Sequence, residues 1–157
     1  MAIREGSTAP AYILPHAPGK TVDLGSVFGN HEKVVLLFFP LAFSPVCTTE
    51  MCTMRDQWKE WEALDAKVFG VTADSPFITK KFREENEIPF PILSDYNREM
   101  SSGYGCVHGD LNGLKRVPMR AAFVIGRDRK VVYSWVSEDP KQEPPYDEVK
   151  KAVENAN

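Results

Sequence analysis

Two cysteines five residues apart follow an apolar run that ends at Phe39. Cys47 lies in the segment PLAFSPVCTTEMC, which runs from Pro40 to Cys52, and the hydroxyl of Ser44 comes three residues before it. A cysteine in the first turn of a helix meets unpaired backbone N–H groups and the positive end of the helix dipole. Such surroundings lower the pKa of a cysteine from about 8.5 to roughly 3.5–7.5. The segment therefore predicts a nucleophilic thiolate at Cys47.

The alternative for Cys47 is an inert buried cysteine, which is the commoner fate of this residue type. Pro40 and Pro45 stand on either side of the loop before Cys47 and restrict its backbone. A packed, unreactive cysteine needs neither these prolines nor a hydroxyl three residues earlier. The pattern favours the reactive interpretation.

The elements that must position Cys47 follow from the hydrophobic pattern. Val34–Phe39 is uniformly apolar, which predicts a strand covered on both faces. An apolar stripe at helical spacing then predicts one helix from about Cys47 to Leu64, its members being Met51, Met54, Trp58, Trp61 and Leu64. Cys47 is thus expected between the end of a buried strand and the start of the next helix. In an open α/β sheet, ligands bind at this edge.

The rest of the chain alternates short strands and helices. The pattern predicts a hairpin of Ala11–Leu14 and Thr21–Leu24, strands at Val68–Thr72, Ile92–Ser94, Arg120–Ile125 and Val131–Val136, and helices at Phe77–Asn86, Arg98–Tyr104 and Pro145–Asn155. This order predicts an α/β thioredoxin-like sandwich, with a central mixed sheet, helices on both faces and an extra N-terminal β-hairpin. We expect a single domain over residues 1–157.

Composition narrows the class of protein. The net charge is −3, with 19 Lys and Arg scattered among 22 Asp and Glu, so no basic patch predicts nucleic acid or an anionic membrane as partner. The longest apolar run, Val34–Phe39, is far shorter than the ~20 residues that span a bilayer. The first residues lack a secretory signal pattern, and three cysteines are too few for a disulfide scaffold. We expect a soluble cytoplasmic protein whose thiols rest reduced.

The segment PLAFSPVC resembles the active-site loop of peroxiredoxins, whose pattern is Pro, three residues, Thr or Ser, two residues, Cys. Pro40, Ser44 and Cys47 occupy those positions, and Glu50 matches a family glutamate three residues later. Arg120 in MRAAFVIG matches a family arginine ahead of a Phe-Val strand. The resemblance continues through FFPLAF, LSDYNREMSSGYG and FVIGRDRKVVY, and within the family it points to the AhpE-type and bacterioferritin-comigratory (PrxQ) subgroups. Ser44 departs from the usual Thr, which implies a less restricted hydroxyl.

The resemblance implies a thiol peroxidase that reduces hydrogen peroxide and small organic hydroperoxides. The Cys47 thiolate would attack one peroxide oxygen and become a sulfenic acid. Arg120 and Ser44 would stabilise the thiolate and the departing oxygen, while Pro40 would shield the sulfur from water. Glu50 would orient Arg120 through a two-pronged ion pair. Thioredoxin or a similar dithiol protein would then recycle the enzyme.

Cys52 is the candidate resolving cysteine. Residues five apart on a helix lie with their Cα atoms about 8.7 Å apart, whereas a disulfide rarely tolerates more than about 7 Å. A Cys47–Cys52 bond therefore requires the helix to unwind locally. PrxQ-type members with a resolving cysteine on the same helix show this spacing, but a packed small residue remains the alternative for Cys52.

Other interpretations of these residues stay open at this point. A thiol redox sensor is one, and a thioredoxin-fold disulfide oxidoreductase is another, although that class normally shows Cys-x-x-Cys. We expect no cofactor and no metal, because the cysteines and His108 lack the paired spacing of zinc sites. Cys106 is most simply a buried structural residue. The chain could be a monomer or a homodimer joined near Phe43 and Tyr104, and the sequence does not give the preferred peroxide.

Overall fold

The chain alternates strands and helices after a short hairpin at its amino end. The computed structural model describes residues 2–157. Its elements run in the order β1 (Ile13–Ala17), β2 (Lys20–Asp23), α1 (Leu24–Gly29), β3 (Lys33–Phe38), α2 (Pro45–Asp56), α3 (Trp58–Ala63), β4 (Ala66–Thr72), α4 (Pro76–Glu85), β5 (Ile92–Ser94), α5 (Glu99–Gly103), β6 (Arg120–Ile125), β7 (Val131–Ser137) and α6 (Tyr146–Asn155). Within the described range, none of the helices has the length and apolar character needed to cross a membrane.

A mixed five-stranded sheet forms the centre of the fold, in the order β5-β4-β3-β6-β7. β3 pairs parallel with β4 on one side and antiparallel with β6 on the other. β4 and β5 are parallel, whereas β6 and β7 form an antiparallel hairpin. β1 and β2 make a separate two-stranded sheet, so the predicted mixed sheet and N-terminal hairpin are both confirmed.

Both faces of the sheet are covered, which is why β3 is apolar at consecutive positions. Val34, Leu36 and Phe38 face one core, which also holds apolar side chains of the hairpin, α1 and α5. Val35 and Leu37 face the other core, which holds side chains of α2, α3, α4 and α6. Since successive side chains of a strand point to opposite faces, a run of this kind is buried on both sides. The thioredoxin-like sandwich with helices on both faces is confirmed.

The predicted single helix from Cys47 to Leu64 is wrong. The structure has two helices, because α2 begins at Pro45 and ends at Asp56, and α3 begins at Trp58. The N–H of Glu60 bonds to the carbonyl of Gln57 at 2.9 Å, so the chain makes one tighter turn at the junction. Met51, Met54 and Trp61 nevertheless remain buried in the same core, which is what the apolar stripe encoded.

The hairpin boundaries and one helix also differ from the prediction. The strands lie at Ile13–Ala17 and Lys20–Asp23, because the turn is confined to Pro18 and Gly19, where Gly19 has φ +73°. The six-residue α1 was not predicted from the sequence pattern. Asp23 caps it by accepting the Ser26 N–H at 3.3 Å, which ends β2 one residue before the predicted Leu24.

Candidate active site

Cys47 lies where the sequence predicts it, in the first turn of a helix that follows a buried strand. β3 ends at Phe38, a short loop follows, and Pro45 occupies the first position of α2. Proline suits that position because it has no N–H to satisfy. The first N–H groups of a helix have no acceptor within it, so Cys47 stands at an electropositive helix terminus at the carboxyl edge of the sheet.

Arg120, the first residue of β6, is held by three directed contacts. Its Nη2 donates to the Cys47 Sγ at 2.8 Å, and its Nη1 donates to the Glu50 Oε1 at 2.9 Å. Its Nε donates to the Pro140 carbonyl at 2.7 Å. Arg120 is 1% exposed, so the guanidinium is fixed away from water between a thiol and a carboxylate. The sequence-predicted cysteine, arginine and glutamate therefore form one cluster.

Glu50 meets Arg120 through one oxygen only, so the two-pronged ion pair expected from the sequence is wrong. Among the described residues, the Glu50 Oε2 is buried without a hydrogen-bond partner. The geometry explains this, because the Nη2 and Nε of Arg120 are directed to Cys47 and to the Pro140 carbonyl. Burial raises the pKa of Glu50 to about 7, against the attraction of Arg120, and the nearby Glu143 adds to the rise.

The Cys47 thiol is fully buried, and this changes its expected protonation. Burial raises the pKa of Cys47 above its ordinary value, whereas Arg120, the Ser44 hydroxyl and the Leu41 backbone lower it. The charge of Glu50 raises it further. The predicted lowering of this pKa is therefore wrong for the closed site, since the sequence shows the attracting groups but not the depth of burial. The sulfur has 0% exposure.

Ser44 stands beside both Cys47 and the loop that leads to it. Its Oγ donates to the Leu41 carbonyl at 2.9 Å. A hydroxyl has one hydrogen, so donation to the sulfur or to a bound oxygen requires rotation away from Leu41. Ser44 is thus close enough to take part, as the motif predicts, with its hydrogen engaged elsewhere in this state.

The loop of residues 40–44 is tied to the neighbouring strand by a carboxylate that the sequence analysis missed. Asp74 accepts the Ala42 N–H at 2.7 Å and the Thr72 hydroxyl at 2.8 Å through the same Oδ2. The Thr72 Oγ1 also lies 3.3 Å from the carbonyl oxygen of the buried Pro40. Asp74 follows β4 at the same edge of the sheet at which Cys47 follows β3. Its position directly after a predicted strand is the sequence feature that could have identified it.

A second missed group lies beyond Glu50. Glu143 precedes α6 and raises the pKa of Glu50, and Tyr146 donates its hydroxyl to the Glu143 Oε1 at 2.7 Å. Glu50 in turn raises the pKa of Tyr146, after burial as the main cause. Glu143 precedes the predicted last helix, and Tyr146 is the first residue of α6. No motif marks them.

The other two cysteines have different surroundings. Cys52 is partly exposed on α2, with its Sγ 3.8 Å from the Oδ1 of Asn86 at the end of α4. It shares an unbroken helix with Cys47, and both are free thiols. Cys106 is fully buried in the core on the opposite face of the sheet, and burial raises its pKa far above the ordinary value. Within residues 2–157, no three His, Cys, Asp or Glu side chains are grouped to hold a metal ion.

The two candidate contact surfaces for a second copy differ in exposure. Phe43 is 46% exposed, with its ring against Phe82 at a centroid distance of 5.1 Å. Tyr104 is fully buried, and its hydroxyl donates to the Pro10 carbonyl at 2.8 Å. A contact in the region near Tyr104 would therefore involve its exposed neighbours Ser102 and Gly103 and not the buried ring, whereas Phe43 is itself exposed.

Comparison with known proteins identifies relatives over most of the chain. The AhpC/TSA family model matches residues 6–134. Peroxiredoxin Bcp of Bacillus subtilis is 31% identical over 137 residues, which cover 86% of each protein. A chloroplastic peroxiredoxin Q of Suaeda salsa is 32% identical over 126 residues, which cover 80% of this chain and 56% of the relative.

Solved structures agree with these sequence matches. The crystal structure of peroxidoxin BcpB from Mycobacterium tuberculosis superposes with a TM-score of 0.83 and 32% identity, covering 96% of each chain. A peroxiredoxin-like protein from Aquifex aeolicus superposes with a TM-score of 0.84 and 25% identity, covering 98% of this chain and 87% of the other. The overall fold is thus shared with these solved structures.

Proposed function

The chain belongs to the AhpC/TSA family of peroxiredoxins, and we propose that it is a thiol peroxidase that uses Cys47 to reduce hydrogen peroxide and small organic hydroperoxides. The observation that carries this proposal is the 2.8 Å contact between the Arg120 Nη2 and the Cys47 Sγ. A guanidinium at this distance stabilises a thiolate and is also placed to meet charge that appears beside the sulfur.

The reaction follows from the bonds that change. The thiolate of Cys47 attacks one peroxide oxygen, so the S–O bond forms while the O–O bond breaks, and the sulfur becomes a sulfenic acid. The second oxygen leaves with the negative charge and takes a proton to become water or an alcohol. Arg120 donates to the sulfur, and the Ser44 hydroxyl can do so after it rotates away from Leu41. Donors at the site of developing charge accelerate such steps.

Peroxide must reach a sulfur that has no exposed surface in this structure. The loop of residues 40–44 is the segment whose movement would open the site, because it leads directly into the first turn of α2. We propose that the hydrogen bond from the Ala42 N–H to the Asp74 carboxylate returns this loop to its closed position after it opens. Burial of the sulfur also fits a shielding role for Pro40, which is itself buried directly after the apolar run.

Recycling completes the proposed cycle. We propose that Cys52 resolves the sulfenic acid by forming a disulfide with Cys47, and that a thioredoxin-like dithiol protein reduces this disulfide. The partly exposed Cys52 suits a thiol that must move, whereas the buried Cys106 does not. We place this cycle in a reducing compartment such as the cytosol, where thiols persist between turnovers. Phe43 is the exposed residue at which a homodimer contact near the site would form.

Peroxide-driven turnover tests the proposal. On mixing with one equivalent of hydrogen peroxide, we expect a rapid change in tryptophan emission, since Trp61 shares a core with Cys47. In a Cys52→Ser variant, a gain in protein mass of one oxygen atom after peroxide treatment indicates a stable sulfenic acid. Recovery of the original emission after a dithiol reductant is added demonstrates turnover. Cys47→Ser should abolish the change, and Cys106→Ser should retain it. A change without recovery indicates a redox sensor, and an unchanged rate in Cys47→Ser overturns the assignment.

A further inference from the structure

Arg120 supplies one positive charge to two acids. Its Nη2 contacts the Cys47 sulfur at 2.8 Å and its Nη1 contacts the Glu50 carboxylate at 2.9 Å. Glu50 and Arg120 are each 1% exposed and Cys47 is 0% exposed, so water does not screen these charges. Two anions in a buried site with one cation repel each other, and ionisation of one makes ionisation of the other less favourable.

We infer that Cys47 and Glu50 share one proton across Arg120, so that the sulfur becomes an anion as the carboxylate is neutralised. In this exchange the S–H bond of Cys47 breaks and an O–H bond forms on Glu50, with no change of oxidation state. Glu50 thereby acts through Arg120 as a positioning residue. Its protonation state decides whether the guanidinium stabilises the carboxylate or the sulfur anion. This inference deepens the proposed function and rests on it.

The surroundings of Glu50 favour its holding the proton. The Oε2 lacks a hydrogen-bond partner among the described residues, so ionisation would leave charge on an unsatisfied buried atom. Glu143 lies near enough to oppose a second negative charge and to raise the pKa of Glu50. The charge on Glu50 in turn raises the pKa of Cys47, which is the coupling expected of two sites that share a cation.

Several elements contribute the groups that face Glu50. α2 provides Cys47, β6 provides Arg120, the segment before α6 provides Glu143, and α6 provides Tyr146. Tyr146 donates its hydroxyl to Glu143 at 2.7 Å, which keeps that carboxylate in place beside Glu50. Glu143 and Tyr146 are therefore assigned as residues that tune the proton at Glu50 without contacting the sulfur.

Titration of the Cys47 thiolate by its absorbance at 240 nm tests the inference. The measurement uses a Cys52→Ser/Cys106→Ser background, so that Cys47 is the thiol observed. In Glu50→Gln the side chain keeps its shape but cannot carry a negative charge, so the positive charge of Arg120 stabilises only the sulfur anion. We expect the apparent pKa of Cys47 to fall by about one unit or more. If Glu50 only orients Arg120 through its negative charge, the pKa rises instead, and that result overturns the inference.

A second variant should shift the apparent pKa of Cys47 in the opposite direction while leaving the Arg120–Glu50 ion pair in place. Glu143→Gln removes the neighbouring charge, so Glu50 ionises more readily and the apparent pKa of Cys47 should rise. Glu60→Gln, on the exposed side of α3, is the matched control and should leave the titration unchanged. Equal shifts of the same sign in Glu50→Gln and Glu143→Gln contradict proton sharing. The titration uses no peroxide, so its failure is distinct from a failure of peroxidase activity.

Discussion

The planar guanidinium of Arg120 makes three contacts that no other side chain can make together. Its Nη2, Nη1 and Nε are directed to the Cys47 sulfur, the Glu50 carboxylate and the Pro140 carbonyl, respectively. Lysine carries the same charge on one nitrogen at the end of a flexible chain, so it cannot keep this geometry. The shape of the side chain, and not only its charge, is thus required.

Arg120→Lys therefore separates charge from geometry. We expect the rate constant for oxidation of Cys47 by hydrogen peroxide to fall about 100- to 1,000-fold, the usual loss when a transition-state donor is removed. Stopped-flow tryptophan emission measures it. Arg127→Lys is the matched control, because Arg127 pairs with the exposed Asp65 on the surface. An Arg120→Lys rate within a factor of three of the original would contradict this account.

At the level of single residues, the sequence revealed the reactive side chains but not their exact relations. Cys47, Glu50 and Arg120 carry a motif, and the structure brings them together. Pro140 contributes only a backbone oxygen, which no side-chain pattern can mark. The one-oxygen contact of Glu50 depends on how Arg120 divides its donors, and that division requires the folded geometry.

Helix α2 is the element that must change during the proposed cycle. Cys47 and Cys52 lie on it with intact helical geometry, which keeps their Cα atoms about 8.7 Å apart. The hydroxyls of Thr48 and Thr49 bond back to the carbonyls of Ser44 and Pro45, at 2.9 and 3.0 Å. Such local bonds compete with the helix, so the first turns are suited to open.

The disulfide prediction follows from this element. After treatment with one equivalent of peroxide, digestion without reductant should yield a Cys47–Cys52 peptide, detected by mass spectrometry. Cys52→Ser should lose the peptide and accumulate more highly oxidised Cys47, while Cys106→Ser should keep it. If the peptide is missing and the sulfenic acid still disappears at the normal rate with an external thiol, Cys52 does not resolve Cys47.

The molecule as a whole was largely predictable because buried strands impose an apolar run on the sequence. β3 and β6 are buried on both faces and were predicted within a residue of their ends. The junction at Gln57 and the short α1 were missed, since a single tightened turn or a six-residue helix leaves little periodic signal. The return of the segment before α6 onto Glu50 is a tertiary arrangement that local pattern does not encode.

Burial of Glu50 also links the stability of the whole molecule to pH. The folded pKa is raised from 4.5 to about 7, so folding favours the protonated carboxyl. The contribution of protonated Glu50 to the free energy of unfolding is complete below about pH 4.5 and is lost as the pH rises through 7. At about 1.4 kcal/mol per pKa unit, the loss is roughly 3 kcal/mol. Urea unfolding of the original protein and of Glu50→Gln, between pH 5 and 8, measures the difference between their free energies of unfolding.

We expect the original protein to lose stability relative to Glu50→Gln as pH rises across this range, because glutamine cannot ionise. Glu60→Gln provides the control for an exposed carboxyl, and its difference from the original protein should stay flat with pH. A difference that stays flat between pH 5 and 8 would mean that Arg120 holds Glu50 ionised throughout, because a folded pKa at or below 4.5 places the change in stability below this range. Arg120 would then remain committed to the carboxylate at neutral pH, and the thiolate of Cys47 would need another source of stabilisation.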